Sequence, residues 1–243
     1  MEKITLADIK WIKSLHEKKN RSAENCFLIE GRKLLDEAIM TPNIRITMVV
    51  LCSAYDQELH LEEDTQVLFA SEKEMQRITC LKNHANVLAV VEIPEVKNLK
   101  MSRAICLDKL QDPGNMGTIM RIADWFGINN IVASNDTVDV FNPKTIQASM
   151  GSIFRVQVHY VDLTEFLKKS TLPIYAATMD GEPYHHFNFE NNGLLLIGNE
   201  GNGISPEISE IITHSVGIPR IGKAESLNAA VACGILCAHW SIK

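Results

Sequence analysis

The sequence predicts an α/β protein in two parts, a small N-terminal unit and a larger one built on a parallel sheet covered by helices. Three observations carry this expectation. Runs that are apolar throughout, such as ITMVVLC and GLLLIG, alternate with segments of helical period, the pattern of strands buried on both faces. The alternation pauses at IPEVKNLK, residues 93–100, with Pro94 as punctuation, and restarts at Arg103. Three loops rich in glycine and short polar residues each follow a predicted strand, where open α/β sheets bind ligands. The expected domains are therefore 1–95 and 103–243, joined by a linker at 96–102.

In chain order, Leu6, Ile9, Ile12 and Leu15 or His16 recur at helical spacing, and Thr5 three residues before Asp8 predicts a capping box. CFLIEG is a strand, Arg32 to Met40 a helix, and ITMVVLC and QVLFA are strands. SEKEMQRIT follows as a helix capped reciprocally by Ser71 and Glu74, then NVLAVVEI as a strand. Beyond Arg103 come strand AICLDKL, helix GNMGTIMRIADWFG, strand NNIVAS, helix NPKTIQASMG, strand FRVQVHYV and a helix from Leu163 capped by Asp162 and Glu165. PIYAAT, GLLLIG and HSVGIP supply further strands, with a short helix after Ser205 and a long apolar helix from Ser226 at the end.

Composition narrows the function. No apolar run reaches the roughly 18–20 residues of a membrane span, and the mixed-charge start is unlike a secretory signal, so a cytoplasmic protein without a membrane partner is expected. Six cysteines form no C-x-x-C pair; Cys233 and Cys237 share a helix face, but His239 lies elsewhere on the helical period, and no metal site is expected. The net charge of −6 argues against a protein that coats nucleic acid along its whole surface. A local basic run at Lys10, Lys13, Lys18, Lys19 and Arg21 reads either as a solvated helix face or as a polyanion contact.

The chemistry concentrates in LQDPGNMGTIMR (110–121), LIGNEGNGIS (196–205) and IPRIGKAESLN (218–228). Gly198, Gly201 and Gly203 read G-x-x-G-x-G, not the dinucleotide fingerprint, and no GK[ST] follows a glycine loop, so a Rossmann site and a P-loop are poor fits. Read locally, Ser226 is a helix cap, Asn228 a first-turn polar residue, and Arg121 a surface arginine with Asp124 at i+3.

Together the three loops resemble the motifs of the SpoU, or TrmH-like, branch of the SPOUT RNA methyltransferases. The first matches at Asn115, Gly117 and Arg121; the second at Gly198, Asn199, Glu200, Gly201 and Gly203; the third at Ile218, Pro219, Glu225, Ser226, Leu227 and Asn228. The likeness spans about 103–243. Arg220 departs from it, standing where members more often carry methionine. FLIEGRKLLDEAI and NVLAVVEI look, more loosely, like the small (L30e-like) substrate-binding domain that often precedes this catalytic domain.

The resemblance implies a homodimer through the catalytic domain, a deep trefoil knot there, and methyl transfer from S-adenosylmethionine to a ribose 2'-hydroxyl of RNA. It implies a cofactor pocket made of Thr178, Gly198, Asn199, Gly201, Gly203, Ile218, Pro219 and Leu227, with catalytic positions at Arg121, Asn115, Glu200, Ser226 and Asn228. In that family the matching arginine comes from the partner subunit, and the resemblance implies the same for Arg121. A guanidinium stays protonated in nearly any protein setting, so an electrostatic role suits Arg121 better than that of a base. Ribosomal RNA is preferred because rRNA members often carry a separate recognition domain; a tRNA enzyme and a catalytically idle RNA-binding homologue are the alternatives. Arg32, Lys144 and Arg155 join the basic run as candidate RNA contacts.

Overall fold

The computed structural model describes residues 2–53, 55, 58–96 and 101–241. The predicted linker at 96–102 includes residues 97–100, which lie outside the described residues. The chain forms two compact units, Met1–Glu95 with Phe141–Phe154, and Val96–Val140 with Arg155–Lys243.

In the first unit the elements are β1 (Glu2–Lys3), α1 (Leu6–Ser14), α2 (Lys18–Glu24), β2 (Cys26–Glu30), α3 (Arg32–Met40), β3 (Ile46–Cys52), β4 (Gln66–Ala70), α4 (Glu72–Ile78) and β5 (Val87–Glu92). The strands form one mixed sheet in the order β1-β4-β3-β5-β2. Each face of it is covered. Ile9, Ile12 and Leu15 pack with Leu28, Val50, Met75 and Ile78 on one side, while Leu34, Leu35 and Ala38 pack with Phe27, Val49 and Ala89 on the other. Both predicted capping boxes form, Thr5 with Asp8 and Ser71 with Glu74, each fixing where a helix starts. Leu6, expected on the buried stripe, is instead 66% exposed.

Helix α2 has no counterpart in the sequence reading, because KKNRSAE carries no apolar stripe to betray it. Its one buried side chain corrects an expectation. Arg21, a predicted RNA contact, is buried and its guanidinium donates to the Leu15 and His16 carbonyls at 2.8 and 2.7 Å, satisfying the open end of α1. Arg32 is likewise engaged, with Asp36 at 2.6 Å and the Tyr55 hydroxyl at 2.7 Å. Phe141–Phe154, which sequence order assigns to the catalytic half, packs with this unit: Ile146 is buried in its core, Phe141 lies 4.7 Å from Phe27 between ring centroids, and Gln147 donates to the Glu30 carbonyl.

The rest of the chain runs through β6 (Arg103–Leu107), α5 (Pro113–Trp125), β7 (Asn130–Ser134), α6 (Pro143–Ser149), a 3-10 turn (Ser152–Phe154), β8 (Gln157–Val161), α7 (Leu163–Lys169), β9 (Ile174–Pro183), β10 (Gly193–Ile197), α8 (Pro206–Ser209), β11 (His214–Gly217) and α9 (Ala229–Ser241). Six parallel strands lie in the order β11-β9-β10-β6-β7-β8. The central β10 and, after Arg103, β6 are apolar and buried, as a doubly covered parallel sheet requires. Strand β9 is irregular. Ala176 pairs with Ser215 and Glu182 with Val216, so residues 177–181 bulge out with no partner on β11. Thr178, expected in a loop after PIYAAT, lies in this excursion.

Helix α9 starts later than expected, at Ala229 rather than Ser226, because the Asn228 side chain accepts from the Ala230 and Val231 amides and caps it. Cys233 and Cys237 lie buried on it with sulfurs 3.9 Å apart, and the protein's six cysteines are free. Among the described residues, no helix is long and apolar enough to cross a membrane, and no group of three or more His, Cys, Asp or Glu is placed to hold a metal ion.

Candidate active site

The site forms at the carboxyl ends of β6, β10 and β11, where each strand releases one of the three motif loops. After β6 the chain turns through Asp112, whose side chain accepts from the Asn115 amide at 2.8 Å and caps α5, with Pro113 in the first turn. Asn115 is thereby held in the first turn of a rigid helix and is 8% exposed. Its amide nitrogen donates to Glu200 at 3.0 Å, and its oxygen accepts from the Asn228 amide at 2.8 Å. The Asn228 oxygen is taken by the α9 cap, so the relay Glu200–Asn115–Asn228 has one consistent orientation for every amide.

Glu200 also accepts from the Gln111 and Asp112 backbone amides at 3.1 and 3.0 Å. Partial burial raises its pKa, but the donors, Asn115 first and then the two amides, outweigh that and hold it below the usual carboxylate value. Glu200 is thus a fixed anion at neutral pH, and its charge organises the start of α5.

The second motif loop is closed on itself. Asn199 and Gly203 exchange backbone hydrogen bonds at 2.8 and 2.9 Å, the Asn199 side chain accepts from the Gly201 and Asn202 amides, and its amide donates to the Lys109 carbonyl at 2.7 Å. Gly203 sits at φ 68°, and a Cβ on Gly198 would fall 2.4 Å from the Gly203 carbonyl carbon. Gly198 therefore requires glycine by contact, whereas Gly203 favours it by conformation.

The third loop contrasts with it. Ile218 is half-buried, but every residue from Pro219 to Asn228 is exposed, Leu227 and Ser226 included. Arg220, whose place the sequence left open, makes a weak 3.4 Å hydrogen bond to the Ala224 carbonyl. Arg121 is exposed, and among the described residues nothing engages its guanidinium. It lies six positions after Asn115 on α5, about 9 Å of rise and about 240° of rotation, so it does not join its own chain's relay. The i+3 pair with Asp124 is not made either. Asp124 pairs with Arg155 at 2.9 Å, which also occupies that candidate RNA contact.

The residues suit a cofactor with many polar edges. Thr178 carries a buried hydroxyl without a hydrogen-bond partner among the described residues, on the excursion next to β11, and the glycine loop presents backbone at close range. Gly181 and Gly217 bring their two segments together so tightly that a Cβ on Gly217 would meet the Gly181 carbonyl oxygen at 2.7 Å.

Comparison with known proteins agrees with this geometry. A sequence model of the SpoU rRNA Methylase family matches residues 102–238, and one of the MRM3-like substrate binding domain matches residues 7–89. The chain belongs to the SpoU rRNA methylase family. Among SpoU relatives, the Bacillus subtilis 23S rRNA (guanosine(2553)-2'-O)-methyltransferase RlmP is 34% identical over 231 residues, 93% of each chain. A structure described as an RNA methyltransferase of the TrmH family from Porphyromonas gingivalis superposes with a TM-score of 0.88 at 36% identity, covering 98% of both chains. The AdoMet-bound rRNA methyltransferase of Sinorhizobium meliloti gives 0.84 at 27% identity, covering 99% of this chain and 97% of that one. These SpoU likenesses run the length of the chain, the N-terminal unit included.

Asp108 is a residue that the sequence reading passed over. The strand expected at AICLDKL includes it, yet it sits past the end of β6, is 1% exposed, and its carboxyl accepts from Ser205 beyond the glycine loop. A buried acid closing an apolar strand is the signal that was available.

Proposed function

We propose that this protein transfers a methyl group from S-adenosylmethionine to a ribose 2'-hydroxyl of ribosomal RNA. The observation that carries this reading is the Glu200–Asn115–Asn228 relay, which ties the three motif loops together at one edge of the parallel sheet. The AdoMet-bound S. meliloti structure and the 2'-O-methyltransferase RlmP support the cofactor and the reaction.

When bound, the cofactor supplies an electrophilic methyl on a sulfonium. Thr178, the backbone of Gly198, Asn199, Gly201 and Gly203, and the Ile218, Pro219 and Leu227 segment would hold it. Anionic Glu200 fixes Asn115, and Asn115 with Asn228 and Ser226 would orient the ribose hydroxyl for attack. The hydroxyl proton leaves to solvent, and the guanidinium of Arg121 stabilises the developing alkoxide.

Because Arg121 does not reach its own relay, the reading includes a homodimer in which each chain supplies Arg121 to its partner. An open groove of about 580 Å³ between α5 and α9, lined by Thr118, Ile122, Val231, Gly234, Ile235 and Ala238, supports that pairing. The reading also includes the trefoil knot, a division into domains 1–95 and 103–243, RNA contacts by the exposed Lys10, Lys13, Lys18, Lys19 and Lys144, and work in the cytoplasm.

The test is transfer of labelled methyl into unmodified 23S rRNA, 16S rRNA and bulk tRNA, with Arg121→Ala alongside. Label in ribosomal RNA that the variant loses is the expected result. Label confined to tRNA overturns the substrate, and full activity of Arg121→Ala overturns the site.

A further inference from the structure

We propose that Asp108 is a positioning residue that clamps the glycine loop in its cofactor-holding shape; this rests on the cofactor reading above. The loop from Gly198 to Ile204 leaves β10 and returns at Ser205, and Asp108 touches both ends. Its amide donates to the Ile197 carbonyl at 2.9 Å, at the point of departure. Its Oδ2 accepts from the Ser205 amide at 2.6 Å and the Ser205 hydroxyl at 2.7 Å, at the point of return. Lys109 follows in the left-handed region at φ 55°, and its carbonyl receives the Asn199 side chain.

Two observations separate this clamp from ordinary packing. Ser205 stands at the N-cap of α8, where serine normally accepts from its own helix, yet it makes no capping hydrogen bond and gives its hydroxyl to Asp108. Asp108 is 1% exposed and its Oδ1 has no hydrogen-bond partner among the described residues, so an acid has been buried with only one oxygen satisfied by the fold. A leucine at a strand end would carry no such desolvation cost. The feature is explained if the loop's geometry, not stability, is what the acid secures.

The test uses the full chain with Asp108→Ala, Asp108→Asn and Ser205→Ala. Calorimetric titration with S-adenosylhomocysteine is expected to weaken roughly tenfold to hundredfold in Asp108→Ala, which loses both hydrogen bonds to Oδ2, and about threefold to tenfold in Ser205→Ala, which keeps the amide bond. Asp108→Asn keeps one acceptor oxygen and is expected to restore most of the loss. Binding of a 23S rRNA transcript is expected to stay at the wild-type value in all three. Hydrogen exchange at the amides of residues 201–205 is expected to rise about tenfold or more in Asp108→Ala.

Wild-type affinity together with wild-type exchange in Asp108→Ala overturns the clamp, and so does a loss confined to RNA binding. If Asp108→Ala does not fold, Ser205→Ala decides by the same two readouts. If the wild-type protein itself does not bind S-adenosylhomocysteine, the cofactor reading fails, while the exchange measurement still judges the clamp.

Discussion

Two loops of the same site are built in opposite ways. The loop from Gly198 to Gly203 is locked by its own backbone pair, by Asn199 at both ends of its amide, and by Glu200 against the start of α5. The stretch from Pro219 to Leu227 is exposed throughout and is crossed, among the described residues, by the one weak Arg220 hydrogen bond. A parallel sheet can fix a loop whose two ends both return to it, whereas the second stretch returns only through the Asn228 cap of α9. The first loop is therefore held by its own contacts and by the sheet, whereas the second is held mainly where it enters and leaves.

The largest effect separates them by chemistry. Glu200→Ala removes the acceptor of two backbone amides and of Asn115, and methyl transfer is expected to fall by about a hundredfold or more, in line with losing several hydrogen bonds to one charge. A loss of less than tenfold in initial rate would mean that the relay does not position the reacting groups.

Packing sharpens the contrast next. Gly198→Ala forces a Cβ into the Gly203 backbone and is expected to lower unfolding free energy by about 1–3 kcal/mol. Gly222→Ala meets nothing within 4 Å and is expected to stay within about 0.5 kcal/mol of the parent. Chemical denaturation of the pair reads this directly, and equal costs would erase the distinction between the loops.

A smaller effect appears at the junction. Asn228→Ala removes the α9 cap and one partner of Asn115, an expected cost of about 1–2 kcal/mol, seen as a lower denaturation midpoint. Ser226→Ala, two residues earlier and exposed, is expected to leave stability within about 0.5 kcal/mol, so any activity it loses belongs to the reaction.

The smallest effect is in pH. The folded value of Glu200 lies below its unfolded value, so its stabilising contribution is complete above the unfolded carboxylate range, near 4.3, and is lost as pH falls through the folded value. The stability difference between the parent and Glu200→Gln is expected to be flat from pH 6 to 8 and to shrink in acid. A step near neutrality would show that Glu200 is not the fixed anion described above.

Much of this was legible in the residues. The apolar strands, both capping boxes and the glycines and short polar residues of the three motif loops each leave a periodic or punctuated trace within a few positions. Helix α2 left none because its single anchor, Arg21, looks like a surface charge until its carbonyl partners are seen. Arg155 and Asp124 are 31 residues apart, and no local pattern joins them.

The sequence by itself determined the α/β class, the family and the residues at each strand end, since strand burial and loop chemistry are local consequences of side-chain type. Only the tertiary structure decided that Asn228 rather than Ser226 caps α9, that residues 141–154 pack with the first unit, and that Asp108 holds Ser205 across 97 positions of chain. Those outcomes depend on which groups meet after the sheet has closed, and a buried polar atom takes whichever partner the closed sheet brings within reach.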